Sequence, residues 1–248
     1  VPLLGENRIL VKEGLKRIAA TANTGLKALL RVSGIEGKVS VGNIGFGIGP
    51  RINASGRLSH ALSAVELLTT QDEERAASLA QHLETENLAR RQIEENIRLQ
   101  ADTIVAQMDL AAEKVLVVAG EHWHHGVIGI AASRILEKYY RPTVMISLED
   151  GMGRGSCRSI KGFNMFEALN SCRDILLKFG GHAAAAGFSI LPENIGELRR
   201  RLNARANQVL TEEDYLPVVA IDIPVQLNDI SLAFIEKLNI LAPFGPGN

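Results

Sequence analysis

The chain has 248 residues, of which 46% are hydrophobic and 22% charged, and its net charge is −1. That suits a soluble globular protein with room for one large or two modest domains, and it rules out any appeal to whole-chain charge as a reason to bind nucleic acid. The two cysteines, Cys157 and Cys172, are too few for a disulfide framework or a cysteine metal site, and no uncharged apolar run is long enough to cross a bilayer.

Charge is unevenly placed. Residues 71–109 hold nine acids against four bases, whereas 110–211 hold thirteen bases against nine acids. The second region is the better candidate for an anionic ligand. With no disulfide framework, a reducing cytosol is the simplest compartment, and the first residues lack the basic start and long apolar run of a signal peptide. The sequon at Asn53 carries no meaning without secretion. Both ends read as cut: the chain starts on an apolar run without methionine and stops on Pro243-Phe244-Gly245-Pro246-Gly247-Asn248, a turn leading onward.

In chain order, the spacing of Ile9, Leu10, Leu15 and Ile18 predicts a helix over 6–21, and Leu26, Leu29 and Leu30 a short one over 25–32. Residues 35–49 are glycine-rich and read as loose. Gly45-Phe46-Gly47-Ile48-Gly49 is a weak match to a dinucleotide loop, because no strand-turn-helix with a downstream acid supports it. In Pro50-Arg51-Ile52-Asn53-Ala54-Ser55-Gly56-Arg57 two arginines bracket Asn53 and a small turn. Their planar forks suit phosphate oxygens, and pairing with acids is the structural alternative. A helix over 60–70 follows. From Asp72 to about Met108 there is no proline or glycine, and apolar residues recur at three- and four-residue steps. This predicts one connecting helix, roughly 55 Å long, with a solvated acidic face.

Beyond residue 110 strands alternate with helices, the pattern of a compact α/β domain. Strands are expected at 114–120, 142–148, 153–159 and 186–190, and helices at 127–139, 164–177 and 193–210. Another strand is expected from Pro217 to Pro224, then a helix over 228–239. His122, His124 and His125 fit no zinc spacing. A histidine donating to an anion just before a helix N-terminus suits them better. Gly153-Arg154-Gly155-Ser156-Cys157-Arg158-Ser159 combines hydroxyls, a guanidinium and bare backbone, which is phosphate-cradling chemistry, with a polar edge strand as the alternative. Gly180-Gly181-His182 reads as a bare turn beside one imidazole, followed by four alanines against which a flat group could lie. The alternative is an alanine helix and an ordinary surface histidine. No Ser-His-Asp order and no acidic pair marks a hydrolytic centre.

Four motifs occur in order: Arg51-Ile52-Asn53-Ala54-Ser55-Gly56-Arg57; Trp123-His124-His125-Gly126-Val127-Ile128-Gly129-Ile130-Ala131-Ala132-Ser133-Arg134; Gly155-Ser156-Cys157-Arg158-Ser159; and Gly180-Gly181-His182-Ala183-Ala184-Ala185-Ala186-Gly187. Together they resemble the RecJ family of single-strand-specific 5′-to-3′ DNA exonucleases in the DHH phosphoesterase superfamily. The resemblance implies an α/β chain: the end of a DHH domain over 1–70, a long connecting helix over 71–110, a compact mixed-sheet DHH-associated domain over 111–211, and a linker over 212–248 toward an OB-fold domain. It implies a metal-dependent exonuclease of DNA repair and recombination, cytoplasmic, with single-stranded DNA as partner and no membrane. Its Mn²⁺ or Mg²⁺ would be bound by residues upstream of Val1, with no metal ligand in this chain. Arg51, Asn53, Arg57, Ser156, Arg158, Ser159, Gly180, Gly181 and His182 would hold the DNA phosphates, and His124 would act near the scissile phosphate. Cys157 stands where the family has glycine. Two rival readings remain: a relative acting on oligonucleotides, cyclic dinucleotides or polyphosphate, and a non-catalytic nucleic-acid-binding module.

Overall fold

The computed structural model describes residues 2–245. The end of the closing turn, Pro246-Gly247-Asn248, lies outside the described residues. The chain divides into two compact units. One comprises the described residues up to Arg90 together with those from Ala220, the other Arg91–Val219.

The first unit is helical. Its elements are α1 (Gly5–Ala19), α2 (Thr24–Val32), α3 (Gly49–Leu58), α4 (Leu62–Thr69) and the first half of α5 (Glu73–Val105). Asn23 caps α2 by accepting the Leu26 N–H at 2.8 Å. Leu29, Leu67, Ala80 and Leu83 interlock in a core shared by α2, α4 and α5. Of the stretch expected to be loose, 35–40 is irregular but 41–49 is helical. A π-helical segment, Asn43–Ile48, runs directly into α3. Each glycine in a helix interior costs about 1 kcal/mol relative to alanine, which hides such a helix from propensity. Three contacts offset that cost: Asn43 Oδ1 accepts from the Ser40 backbone N–H (2.9 Å), Ile48 is buried, and Arg51 Nη1 donates to the Gly47 carbonyl (2.8 Å). Arg51 to Arg57 is therefore helix, not turn.

The later residues of this unit hold α9 (Leu232–Leu238). The strand expected from Pro217 to Pro224 does not form, and Val218 and Val219 stay exposed. Two bracketing prolines and the lack of a neighbouring strand among the described residues leave its backbone with no ladder to join.

The second unit is a five-stranded sheet, β1 (Leu116–Glu121), β2 (Thr143–Glu149), β3 (Met152–Arg158), β4 (Leu176–His182) and β5 (Ala185–Ile190), in the order β1-β2-β3-β5-β4. Only β1 and β2 are parallel, and α6 (Ile128–Tyr139) joins them as the crossover. One face carries Val117, Ile146, Cys157, Phe188 and Ile190 under α7 (Met165–Asn170) and α8 (Ile195–Val209). On the other face, α6 packs on β2 and β3. The helix expected over 164–177 stops at Asn170, because Leu176 onward is needed as β4.

Gly180-Gly181-His182 is thus strand, and Ala183-Ala184 form the two-residue turn into β5, where the alternative reading had an alanine helix. Gly181 sits at φ +141, and a Cβ there would lie 2.5 Å from the Ala185 carbonyl oxygen and from Ala186 Cα. We expect Gly181→Ala to lose roughly 2–4 kcal/mol in chemical denaturation, from backbone strain plus overpacking. Unchanged stability would show that the hairpin tolerates a side chain there.

Candidate phosphate-binding face

Side chains of a strand alternate between faces, and directly paired antiparallel residues share one. In the β3–β5–β4 register, Arg158 pairs with Ala185, which pairs with His182; Ser156 pairs with Gly187, which pairs with Gly180. These two rows lie on the face opposite the α7–α8 core. Helix α6 covers the β2–β3 side of that face. The β5–β4 side is left with a floor of Ala185, Gly187 and Gly180 beside exposed His182.

Arg158 is half-buried at the α6 edge. Its Nε donates to Ser133 Oγ (3.1 Å), and its Nη1 to the Cys157 carbonyl (2.7 Å) and Ser156 Oγ (3.4 Å). Close approach of α6 depends on Gly129, where a Cβ would meet Ser156 Oγ at 2.9 Å and Arg158 Nη2 at 3.0 Å. Gly129 and Ser133 are four residues apart, so both lie on the helix face turned to β3. The guanidinium is therefore oriented before any ligand arrives. Gly180 has nothing within 4 Å of its would-be Cβ, so packing does not demand glycine there; what the missing side chain leaves is open floor.

Ser159 falls on the other side of the strand pattern. Its hydroxyl donates to the Phe163 carbonyl (2.7 Å) and its N–H to the Ala184 carbonyl (2.9 Å), so it ties the loop after β3 to the β4–β5 turn. Gly181 likewise serves the hairpin. The structure brings together Ser156, Arg158, Gly180 and His182 on one face, and gives Ser159 and Gly181 supporting places behind it.

His124 lies in the loop before α6. Its Nδ1 accepts the Gly126 N–H (3.2 Å), so in the neutral ring the proton sits on Nε2. Its ring stacks on His125 at 5.2 Å. Trp123 anchors the loop: it is buried, its indole N–H donates to Gln100 Oε1 (2.8 Å), and its carbonyl accepts from Ser147 Oγ. No group of three or more His, Cys, Asp or Glu among the described residues could hold a metal ion, so the residues present do not fit a metal centre. Burial raises the pKa of both the Cys157 and Cys172 thiols, against nucleophilic use of either. Cys157 faces the α7–α8 core, so its side chain does not reach the opposite face of the sheet.

Arg51, Asn53 and Arg57 belong to the first unit. Arg51 is buried, ion-paired with Glu84 and bonded to the Gly47 carbonyl. Its guanidinium is turned inward, and the pairing alternative describes it. Asn53 and Arg57 are exposed, four residues apart on one face of α3, and line a recess of about 540 Å³ with Ile52 and Gly56.

Sequence comparison adds to this geometry. The DHHA1 domain family matches residues 112–208. The single-stranded-DNA-specific exonuclease RecJ of Bacillus subtilis is 40% identical over 248 residues, covering 99% of this chain and 31% of its own length. That of Escherichia coli is 33% identical, covering 99% and 44%. The crystal structure of Thermus thermophilus RecJ with Mg²⁺ superposes with a TM-score of 0.89 at 36% identity, over 100% of this chain and 38% of that one. Over nearly its whole length the chain is similar to part of these RecJ proteins. It spans between about a third and under half of the length of the curated relatives it matches. A manganese-bound exonuclease RecJ structure also matches, with a TM-score of 0.72 at 39% identity over 83% of this chain and 51% of that one. The mixed five-stranded sheet and long helix agree with the α/β expectation. No helix among the described residues is long and apolar enough to cross a membrane.

The sequence reading missed Gly129, Ser133 and Gly187 as site builders. All three stand inside the quoted motifs, and the signal for them was periodicity: a four-residue step in α6 and a two-residue step in β5. The inward pairing of Arg51 yields a test. Replacing Arg51 by alanine leaves the Glu84 carboxylate without its partner, and should lower the stability of the first unit by roughly 2–3 kcal/mol. Gly180→Ala should keep the stability of the second unit within about 1 kcal/mol yet weaken single-stranded DNA binding. Equal stability losses for Gly180→Ala and Gly181→Ala would contradict the open-floor assignment.

Proposed function

We propose that this chain is the substrate-holding part of a metal-dependent exonuclease that removes nucleotides from the 5′ end of single-stranded DNA in repair and recombination. In the whole protein, residues 1–70 would end the DHH domain, 71–110 form the connecting helix, 111–211 the DHH-associated domain and 212–248 the approach to an OB-fold domain. Support comes from likeness to RecJ proteins along the whole chain. The observation that carries the reading is the pre-oriented Arg158 fork beside the bare Gly180–Gly187 floor.

Arg158 and Ser156 bind oxygens of the terminal phosphate, the guanidinium supplying a charge-assisted contact. Gly180 and Gly187 let the backbone come close, and His182 donates from the strand end. On the first unit's own surface, Asn53 and Arg57 offer amide and guanidinium donors to DNA. Arg51 and Ser159 act by holding structure. The His124 Nε2–H is the donor assigned to the scissile phosphate. The metal expected in the whole protein is Mn²⁺ or Mg²⁺, the ions named in the relatives' structures, and it would supply Lewis-acid activation of water. Aromatic residues are only 4% of the chain, so sequence-independent phosphate contact dominates. The cytoplasm suits such a nuclease.

In the full-length protein, Arg158→Ala and His182→Ala should each cut hydrolysis of 5′-labelled single-stranded DNA by about a hundredfold, the loss of charged hydrogen bonds to phosphate. Rates within twofold of the parent for both would overturn the assignment. Binding should weaken steeply with added salt, and a flat salt dependence would count against phosphate contact.

A further inference from the structure

The ladder that sets the Arg158 and Ser156 rows continues by one more. Arg154 pairs with Ser189, and Ser189 pairs with Lys178. By the same alternation these three share the face of Arg158, Ser156, Gly180 and His182. We infer that Arg154, Ser189 and Lys178 form a second phosphate subsite, which takes the backbone phosphates further along a single strand whose terminal phosphate sits at Arg158. The inference rests on the function proposed above and extends it to the track of the bound strand.

Four observations point to this row. Arg154 and Lys178 are both exposed, and among the described residues neither side chain has an ion pair or hydrogen bond. Many other cations of this unit are engaged: Arg201 with Asp174 and Glu197, Arg200 with Glu197, Lys138 with Asp102, Lys114 with Glu212. Arg154 and Lys178 stand on strands two apart, with Ser189 between them, so two long basic side chains can close over one hydroxyl. Neighbouring strands are about 4.8 Å apart, which puts their backbones roughly 10 Å from each other, a span two such side chains can bridge through one anion. Finally, the row lies four residues along β3 from Arg158. That is about 13 Å of strand, on the order of two nucleotides of an extended backbone. The Ser156–Gly187–Gly180 row between the two has no bulk to obstruct the strand: a Cβ at Gly180 would touch nothing within 4 Å, and one at Gly187 only the Gly155 carbonyl at 3.5 Å. The face therefore runs cation, bare floor, cation.

The test is a titration of this chain with 5′-phosphorylated oligothymidylates of one to four nucleotides, at several salt concentrations. For the parent chain, affinity should rise as the second and third nucleotides are added. Arg154→Ala/Lys178→Ala should bind the mononucleotide as the parent does and lose about tenfold or more on the longer oligomers. The slope of log affinity against log salt should fall by about 0.7 per lost phosphate contact. Arg154→Lys should retain that slope. Both cations are exposed and have no partner among the described residues, so thermal stability should not change. A double variant whose affinity still climbs with length like the parent's overturns the subsite. Arg158→Ala should weaken every length, the mononucleotide included. If Arg158→Ala changes nothing while the double variant loses the length dependence, the terminal-phosphate seat is wrong and this row stands. A parent chain that binds none of the oligomers overturns both.

Discussion

Everything on the candidate phosphate face depends on the antiparallel register of β3, β5 and β4. Pairing Arg158 with Ala185 and His182, and Ser156 with Gly187 and Gly180, sends the polar side chains to one face and Cys157, Ala186 and Phe188 to the core. A slip of one residue would reverse every one of them. The hydrophobic pattern resists that slip, since it would bury Arg158 and expose Phe188. The hairpin adds a second constraint: the φ +141 of Gly181 and its lack of room for a side chain hold the Ala183-Ala184 turn in one place. Core packing and site geometry are two consequences of one ladder.

Helix α6 turns that ladder into an oriented site. It crosses from β1 to β2, covers half of the face, and offers Gly129 and Ser133 to Arg158. Ser133 and the Cys157 carbonyl fix the guanidinium while its surroundings remain open toward β5 and β4. A long flexible arginine normally loses side-chain entropy on binding; here much of that loss has been taken in folding. The loop before α6 is fixed by the buried Trp123, and the Gly126 N–H bonded to Nδ1 leaves the proton of the neutral His124 ring on Nε2.

The element pattern of the second unit was legible because strand and helix periods alternate clearly between 114 and 210. Its chemistry was legible as motifs, but their shapes were not. Gly180-Gly181-His182 suggested a turn because glycine pairs usually mark one; the strand appears only when β5 is available to pair with it. The 41–58 helix was hidden by Gly42, Gly45, Gly47, Gly49 and Gly56, whose poor propensity is overridden by the burial of Ile48 and the Arg51 contacts. Arg51 looked like Arg57 in sequence. Only the fold puts Glu84 beside the first of them, because the pair is 33 residues apart and on different helices. The Val218–Ile223 alternation had the period of a strand but, among the described residues, no neighbouring strand to satisfy its backbone.

The account assigns substrate holding to this chain and places no metal centre among its described residues. The most direct measurement is metal-dependent hydrolysis of 5′-labelled single-stranded DNA, comparing this 248-residue chain with the full-length protein, with binding followed in parallel. The account predicts salt-sensitive binding by both and cleavage by the full-length protein alone. Cleavage by the 248-residue chain itself, after purification to constant specific activity, would contradict it and direct attention to the histidines at 122–125.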